Sequence, residues 1–317
     1  MKAIMYHYVR PTPLDLPYFR YLHIEDFCRQ LDHFSQHDRF LTKTEFLDAV
    51  KAKSPPPDGT ILTFDDGLRD HYNHVLPALK ERRLWGIFYI PTGMYVNQRL
   101  LDVHRIHMLL GTNDATTLLA DLKHRIGPHM LDPDHSAQFR NITYQCQHND
   151  EATTEFKRIL NYYIAYQWRT TLLDDMMAHY FPDETRLAHD YYMTAPQIRE
   201  MENEGMIIGN HTVSHRVMSK LPDAEQRREI DDSFAFLDKI TTSSNVRTYC
   251  HPYGGFHTFT ADTEKLLINA GCAFSFNVEA RNISESDLKN HPQALPRFDC
   301  NLLPHGQARD IPAALET

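Results

Sequence analysis

Short apolar runs alternate with amphipathic helical stretches over residues 60–90 and again over 195–278. That alternation restricts the chain to an architecture built on a parallel sheet, open or closed into a barrel. The first run, 3–9, reads as a strand. Ile24, Phe27, Leu31 and Phe34 then share one helical face, and Phe46, Leu47 and Val50 another. Thr42 and Glu45 carry the spacing of a capping box for the second of these helices. Prolines at 55–57, followed by Asp58 and Gly59, mark a rigid connection. Residues 60–64 are the next strand, 70–83 a helix and 86–90 a strand. Predicted helices at 195–203, 223–239 and 261–270 precede strands at 206–209, 246–249 and 273–278.

The rhythm breaks in the middle. No apolar run between 90 and 206 reads as a core strand. A βα unit needs only about 30 residues, so on the order of 80 are inserted. Periodic apolar positions predict helices over 100–110, 115–126, 154–166 and 170–180. The predicted organisation is one domain over 1–317 with a mostly helical insertion at 94–190. The insertion leaves the C-terminal end of a strand, the face that carries active sites in parallel α/β folds, so part of it is expected to roof the pocket.

Of the 317 residues 42% are hydrophobic and 24% charged, the profile of a globular protein. Basic residues number 33 against 42 acidic, and the net charge of −9 argues against a nucleic-acid partner. No apolar run approaches the roughly 18 residues of a transmembrane segment, and no signal peptide is recognisable, so a cytoplasmic protein is expected. The five cysteines (Cys28, Cys146, Cys250, Cys272 and Cys300) are widely spaced and form no CxxC pair. They read as buried free thiols. The sequence sets no oligomeric state.

Two fragments carry chemistry. Thr63 and Phe64 lead into Asp65, Asp66 and Gly67. Adjacent carboxylates at a strand end repel unless something positive sits between or beside them, and the glycine allows a tight turn. Alone, this fragment is equally a solvated turn. The second, residues 209–215, holds His211 and His215 four apart, able to reach one ion from one helical turn; a pair like this is often structural. Together they supply one carboxylate and two histidines, a common catalytic zinc set, and leave a second carboxylate as candidate general base. His104 and His107 read as surface or packing histidines.

These fragments resemble the polysaccharide deacetylase family, also called the NodB-homology or carbohydrate esterase 4 group. The resemblance covers about 1–93 and 190–305 and implies a distorted (β/α) barrel. Matched by position, it makes Asp65 the base and Asp66, His211 and His215 the ligands of one divalent metal ion, zinc first, with nickel, cobalt or manganese as other choices. Residues 249–255 resemble the family's groove-wall motif, in which the backbone N–H of Tyr253 helps hold the oxyanion. Family members carry an arginine before the proline of that motif to orient the base. His251 stands there instead, and Arg297 is a candidate replacement, or a solvated arginine. Residues 5–8 resemble a branch whose first strand ends in a histidine near the metal. His7, His251, Pro252 and Gly254 are therefore assigned to substrate binding. His305, in a Leu302–His305 segment loosely like the family's acid motif, is assigned as catalytic acid, with His7 as the other candidate. Tyr6, Tyr8 and Tyr253 are sugar-stacking candidates or core residues.

The implied activity is hydrolysis of the N-acetyl group of an amino sugar or acetylated glycan, in surface polysaccharide biosynthesis. An O-acetyl esterase and a non-catalytic carbohydrate-binding protein are the rival readings.

Overall fold

A computed structural model describes residues 1–13, 15–140, 142–144, 149–242 and 246–308. Cys146 lies outside these. The chain forms two compact units; among the described residues one holds Met1–Pro11, Tyr21–Asn97 and 190–308, the other Thr12–Arg20 and Gln98–His189.

Among the described residues the first unit holds nine strands: β1 (Lys2–Tyr6), β2 (Val9–Arg10), β3 (Leu22–His23), β4 (Thr60–Phe64), β5 (Ile87–Ile90), β6 (Ile207–Asn210), β7 (Thr248–Cys250), β8 (Phe274–Phe276) and β9 (Phe298–Asp299). Seven form one sheet in the order β8-β7-β6-β5-β4-β1-β9, curled into a half-barrel, and β2 pairs with β3 apart from it. Every pairing is parallel. β4 to β8 are buried along their whole length, as strands covered on both faces must be. The parallel sheet is the one the alternation requires, and its curl is that of the distorted (β/α) barrel the resemblance implied.

Strand periodicity sorts side chains between the barrel interior and the helical layer outside. Ala3, Ile61, Ile87, Tyr89, Ile207, Cys250, Phe274 and Phe276 form one buried cluster. Tyr6 and Phe64 face the other way, with ring centroids 5.1 and 6.0 Å from Phe27. Phe27 lies on the helix Ile24–His37, whose buried face is Phe27, Gln30, Leu31 and Phe34. The Tyr6 hydroxyl donates to Gln30 Oε1 at 2.7 Å, so Tyr6 is a core residue rather than a sugar platform. The capping box of Thr42 and Glu45 starts the helix Lys43–Ala52.

The sheet has two edge strands, and one late segment reaches both. Ser275 N donates to Pro292 O, Leu295 N to Ser275 O and Asn277 N to Leu295 O, which ties 292–295 to β8. Three residues on, Phe298 pairs with Ile4 of β1. Arg297 therefore sits where the chain crosses from one edge to the other.

The helix expected over 70–83 begins as a π-turn, His71–Val75, and continues as Leu76–Glu81. Pro77 has no N–H to give the carbonyl of Asn73, which favours the wider turn. In the second unit the helices are Asp102–Thr112, Ala115–Arg125, Pro133–Phe139, Glu151–Arg158, Tyr166–Tyr180 and Glu184–Tyr191. Arg105, only 1% exposed, is fixed there by a two-pronged hydrogen bond to Glu184 and a third bond to Asp174. Among the described residues Cys28, Cys250, Cys272 and Cys300 are free thiols, and Cys28 is half-buried rather than buried. None of the described helices is long and apolar enough to cross a membrane.

Gly209 tests the packing of the barrel interior. A Cβ there would lie 2.4 Å from Tyr89 Cε1, and Tyr89 cannot swing away because its hydroxyl is bonded to Thr248 Oγ1 at 2.9 Å. Gly209→Ala is expected to destabilise the protein by about 1–3 kcal/mol, measured by urea denaturation; an unchanged midpoint would show that Tyr89 has room to move.

Candidate active site

The same alternation that builds the barrel aims the functional side chains. Ile61 and Thr63 point inward on β4, and Asp65, one step past the strand end, continues the series. His7 continues Ala3 and Met5 in the same way. The two meet: His7 Nε2 is 4.0 Å from Asp65 Oδ2, with Asp65 buried and the His7 side chain 38% exposed. Asp66 breaks the series. Its φ of 82°, followed by 62° at Gly67, turns its carboxylate toward the end of β6. A left-handed non-glycine residue costs about 1–2 kcal/mol, so the neighbours must hold it.

Asp66 Oδ1 lies 3.5 Å from His211 Nε2 and 3.4 Å from His215 Nε2, all three residues buried. Ligands about 2.0–2.1 Å from a tetrahedral ion stand about 3.3–3.4 Å apart, so both separations from Asp66 suit a zinc-like ion. The second ring nitrogen of His211 supports this. Nδ1 lies 2.8 Å from the carbonyl oxygen of Cys250, which can only accept, so in the neutral ring Nε2 carries the lone pair.

Asp65 faces a different partner. Arg297 Nη1 and Nη2 donate to its two oxygens at 2.9 and 2.8 Å, the planar fork of a bidentate pair. Nη1 also reaches Thr63 Oγ1 and Nη2 reaches Cys250 Sγ, both at 2.9 Å. The guanidinium lies near the rings of Tyr89 and Phe276. Burial alone would raise the Asp65 pKa, but the charge and hydrogen bonds of Arg297 outweigh it and hold it at about 2. Asp65 is therefore ionised at neutral pH.

The turn after β7 approaches from the third side. The Tyr253 ring packs edge-on against His215 with centroids 5.0 Å apart. Tyr253, Gly254 and Gly255 all have positive φ, and a Cβ on Gly254 would meet Val278 Cγ2 at 2.2 Å, so only glycine fits there. Pro252 is buried beneath the turn. Gly255 N donates to Asn277 Oδ1 at 2.6 Å. Tyr8 is half-buried, its hydroxyl 2.6 Å from that of Tyr191.

Two predicted residues lie elsewhere. His251 follows Tyr249 to the outside of the barrel, stacks on Phe259 at 3.7 Å and donates through Nε2 to Gln293 O at 2.8 Å. Burial pushes its pKa down to about 3, so it is a neutral core histidine and not a substrate ligand. His305 is exposed, its ring 5.9 Å from that of His33. The residue before it, Pro304, offers its carbonyl to Gln30 Nε2 at 2.8 Å, and Gln30 is the partner of the outward-facing Tyr6. His305 thus packs with the helix Ile24–His37 outside the barrel, on the side away from the inward-facing Asp65.

Sequence reading missed three supporting residues. Cys250 was visible only as a thiol, yet it touches Arg297 and offers its carbonyl to His211. Asn210 Oδ1 accepts Thr212 N at 2.7 Å. The Glu229 carboxylate accepts Val213 N and Ser214 N at 2.9 and 2.8 Å.

A sequence model described as polysaccharide deacetylase matches residues 52–274. A search of curated protein sequences gives no significant match. Among solved structures, the chain is similar to the deacetylase PplD of Streptococcus pyogenes (TM-score 0.57, 16% identity, covering 94% of this chain and 91% of that one). It is also similar to IcaB from Ammonifex degensii (0.53, 18%, 94% and 90%) and to a de-N-acetylase from Aggregatibacter actinomycetemcomitans (0.54, 14%, 99% and 98%). At these identities the likeness speaks for the fold.

The buried pair makes its own prediction. Arg297→Met strands an ionised, desolvated Asp65, and a loss of about 3–5 kcal/mol at pH 7 is expected by urea denaturation. The wild-type contribution is present above the ordinary carboxylate pKa and is lost as pH falls through about 2. In the variant the folded-state pKa rises, so its deficit should shrink as pH falls toward 4, the ordinary carboxylate range. A deficit that stays constant with pH would mean that Asp65 is not the group affected.

Proposed function

The chain belongs to the polysaccharide deacetylase family, which makes it a carbohydrate deacetylase of a metal-dependent family, and we propose that it removes an N-acetyl group from an amino sugar or acetylated glycan. The observation that carries the reading is the division of labour between adjacent carboxylates, Asp66 facing two histidines and Asp65 facing Arg297.

Asp66, His211 and His215 would hold the ion, zinc by the chemistry of the donors. When bound, it lowers the pKa of water toward about 7 and polarises the acetyl carbonyl. Asp65, fixed in one orientation by Arg297, accepts the proton of the attacking water. The Tyr253 backbone N–H donates to the oxygen on which negative charge develops. His7, half-buried with Nε2 4.0 Å from Asp65 Oδ2, is assigned to protonate the departing nitrogen. An amide needs that proton more than an ester does, because an amine anion is far the poorer leaving group; this favours N-acetyl over O-acetyl substrates.

The two carboxylates separate in experiment. Asp66→Asn is expected to lose metal and activity together. Asp65→Asn is nearly isosteric and should keep its metal while kcat on an acetylated glucosamine oligomer falls roughly 10²-fold or more. Metal content by elemental analysis and steady-state acetate release decide it. Near wild-type turnover in Asp65→Asn would remove Asp65 from the base role.

A further inference from the structure

The two histidines of the proposed metal site sit at the ends of a short, contorted loop. Thr212 and His215 both adopt left-handed backbone, with φ of 65° and 53°, and neither is glycine. From one side the strand end of β5 holds it, with Thr92 N donating to Thr212 O at 3.0 Å and Gly93 N to Val213 O at 2.7 Å. From the other side one carboxylate takes the donors of Val213 and Ser214. Glu229 accepts Val213 N and Ser214 N on Oε2, and Ser214 Oγ on Oε1 at 2.5 Å. Glu229 lies on the helix Asp223–Leu237, fourteen residues beyond His215 in sequence. Asn210 completes the frame by bonding Ile230 O on the same helix, and Thr212 Oγ1 accepts His215 N.

We propose that Glu229 is the positioning residue of the metal site: by gathering the N–H groups of Val213 and Ser214 and the Ser214 hydroxyl, it fixes the distance between His211 and His215 and thereby sets metal affinity. This rests on the reading of Asp66, His211 and His215 as metal ligands. Strand β6 directs His211, but His215 is carried by four residues of irregular chain with two left-handed turns. Without an anchor on the helix, those donors turn to water and the loop relaxes toward ordinary backbone, which moves His215 relative to Asp66. The carboxylate is suited to the task because it accepts several bonds and donates none.

The test uses the full chain and metal alone. Zinc affinity is measured by competition with a chromophoric chelator, and the ligand-field spectrum of the cobalt-loaded protein reports geometry at the ion. Glu229→Ala is expected to bind zinc 10–100-fold more weakly and to alter the cobalt spectrum. Glu229→Gln, whose amide oxygen still accepts from the backbone, should lose less than about tenfold. Far-UV circular dichroism of the metal-free variants shows whether they fold. If Glu229→Ala does not fold, Glu229→Gln decides: measurable weakening supports the proposal, and wild-type affinity and spectrum overturn it. A folded Glu229→Ala of lower stability but wild-type affinity and spectrum also overturns it, leaving Glu229 a purely structural residue. His211→Ala separates the two levels. If it binds zinc as wild type does, the metal-site reading itself fails; if it loses zinc while the Glu229 variants do not, only the present inference fails.

Discussion

The ion pair between Asp65 and Arg297 joins the architecture of this protein to its chemistry. Both residues are almost fully buried, 2% and 1% exposed, and neither charge is tolerable there alone. Asp65 arrives from the end of β4, and Arg297 from the segment that leaves β8 and joins β1. The pair forms only when the curled sheet has its late segment in place, so closure of the barrel and placement of the charge are one structural event. A buried pair of this kind need not add stability over an apolar core. What it supplies is a carboxylate of fixed orientation that stays ionised at neutral pH.

The neighbouring carboxylate is handled differently. Two adjacent aspartates facing one pocket would share their protons unless given separate counter-charges. The left-handed turn at Asp66 separates them, sending Asp66 to the histidines while Asp65 keeps the inward direction of its strand. The residues behind each carboxylate differ accordingly. Arginine, threonine and thiol surround Asp65; Asn210, Thr212 and Glu229 brace the loop opposite Asp66. A Cys250 carbonyl bonded to His211 and a Cys250 thiol bonded to Arg297 link the two halves.

The fold was legible because its strands and helices announce themselves locally. The expected strand 60–64 and helix 195–203 match the observed elements to the residue. Asp65, Asp66, His211 and His215 stand in strand-end motifs, and the structure brings them into two overlapping buried clusters that share His211. Tyr6 and His251 share one physical origin, the period of two along a strand. Counting from Cys250 inward puts His251 outside the barrel, and counting from Ala3 puts Tyr6 outside and His7 inside; motif matching ignores that parity. His305 is a different case, since its segment follows a crossing of the sheet whose end no local pattern specifies. Arg297 could be named but not located, because its partner lies 232 residues away. Glu229 left no signal at all: on a charged helix it looks like any solvated glutamate, and only the loop it meets gives it a task.

The central claim is that metal at Asp66, His211 and His215 serves the hydrolysis of an acetamide. The direct measurement is product analysis on an N-acetylglucosamine oligomer, counting acetate and free amine before metal removal, after chelation and after zinc is restored. The account predicts acetate and amine in equal amounts, loss of both on chelation and recovery of both with zinc. Acetate released without a matching amine, or release that chelation leaves untouched, would contradict it.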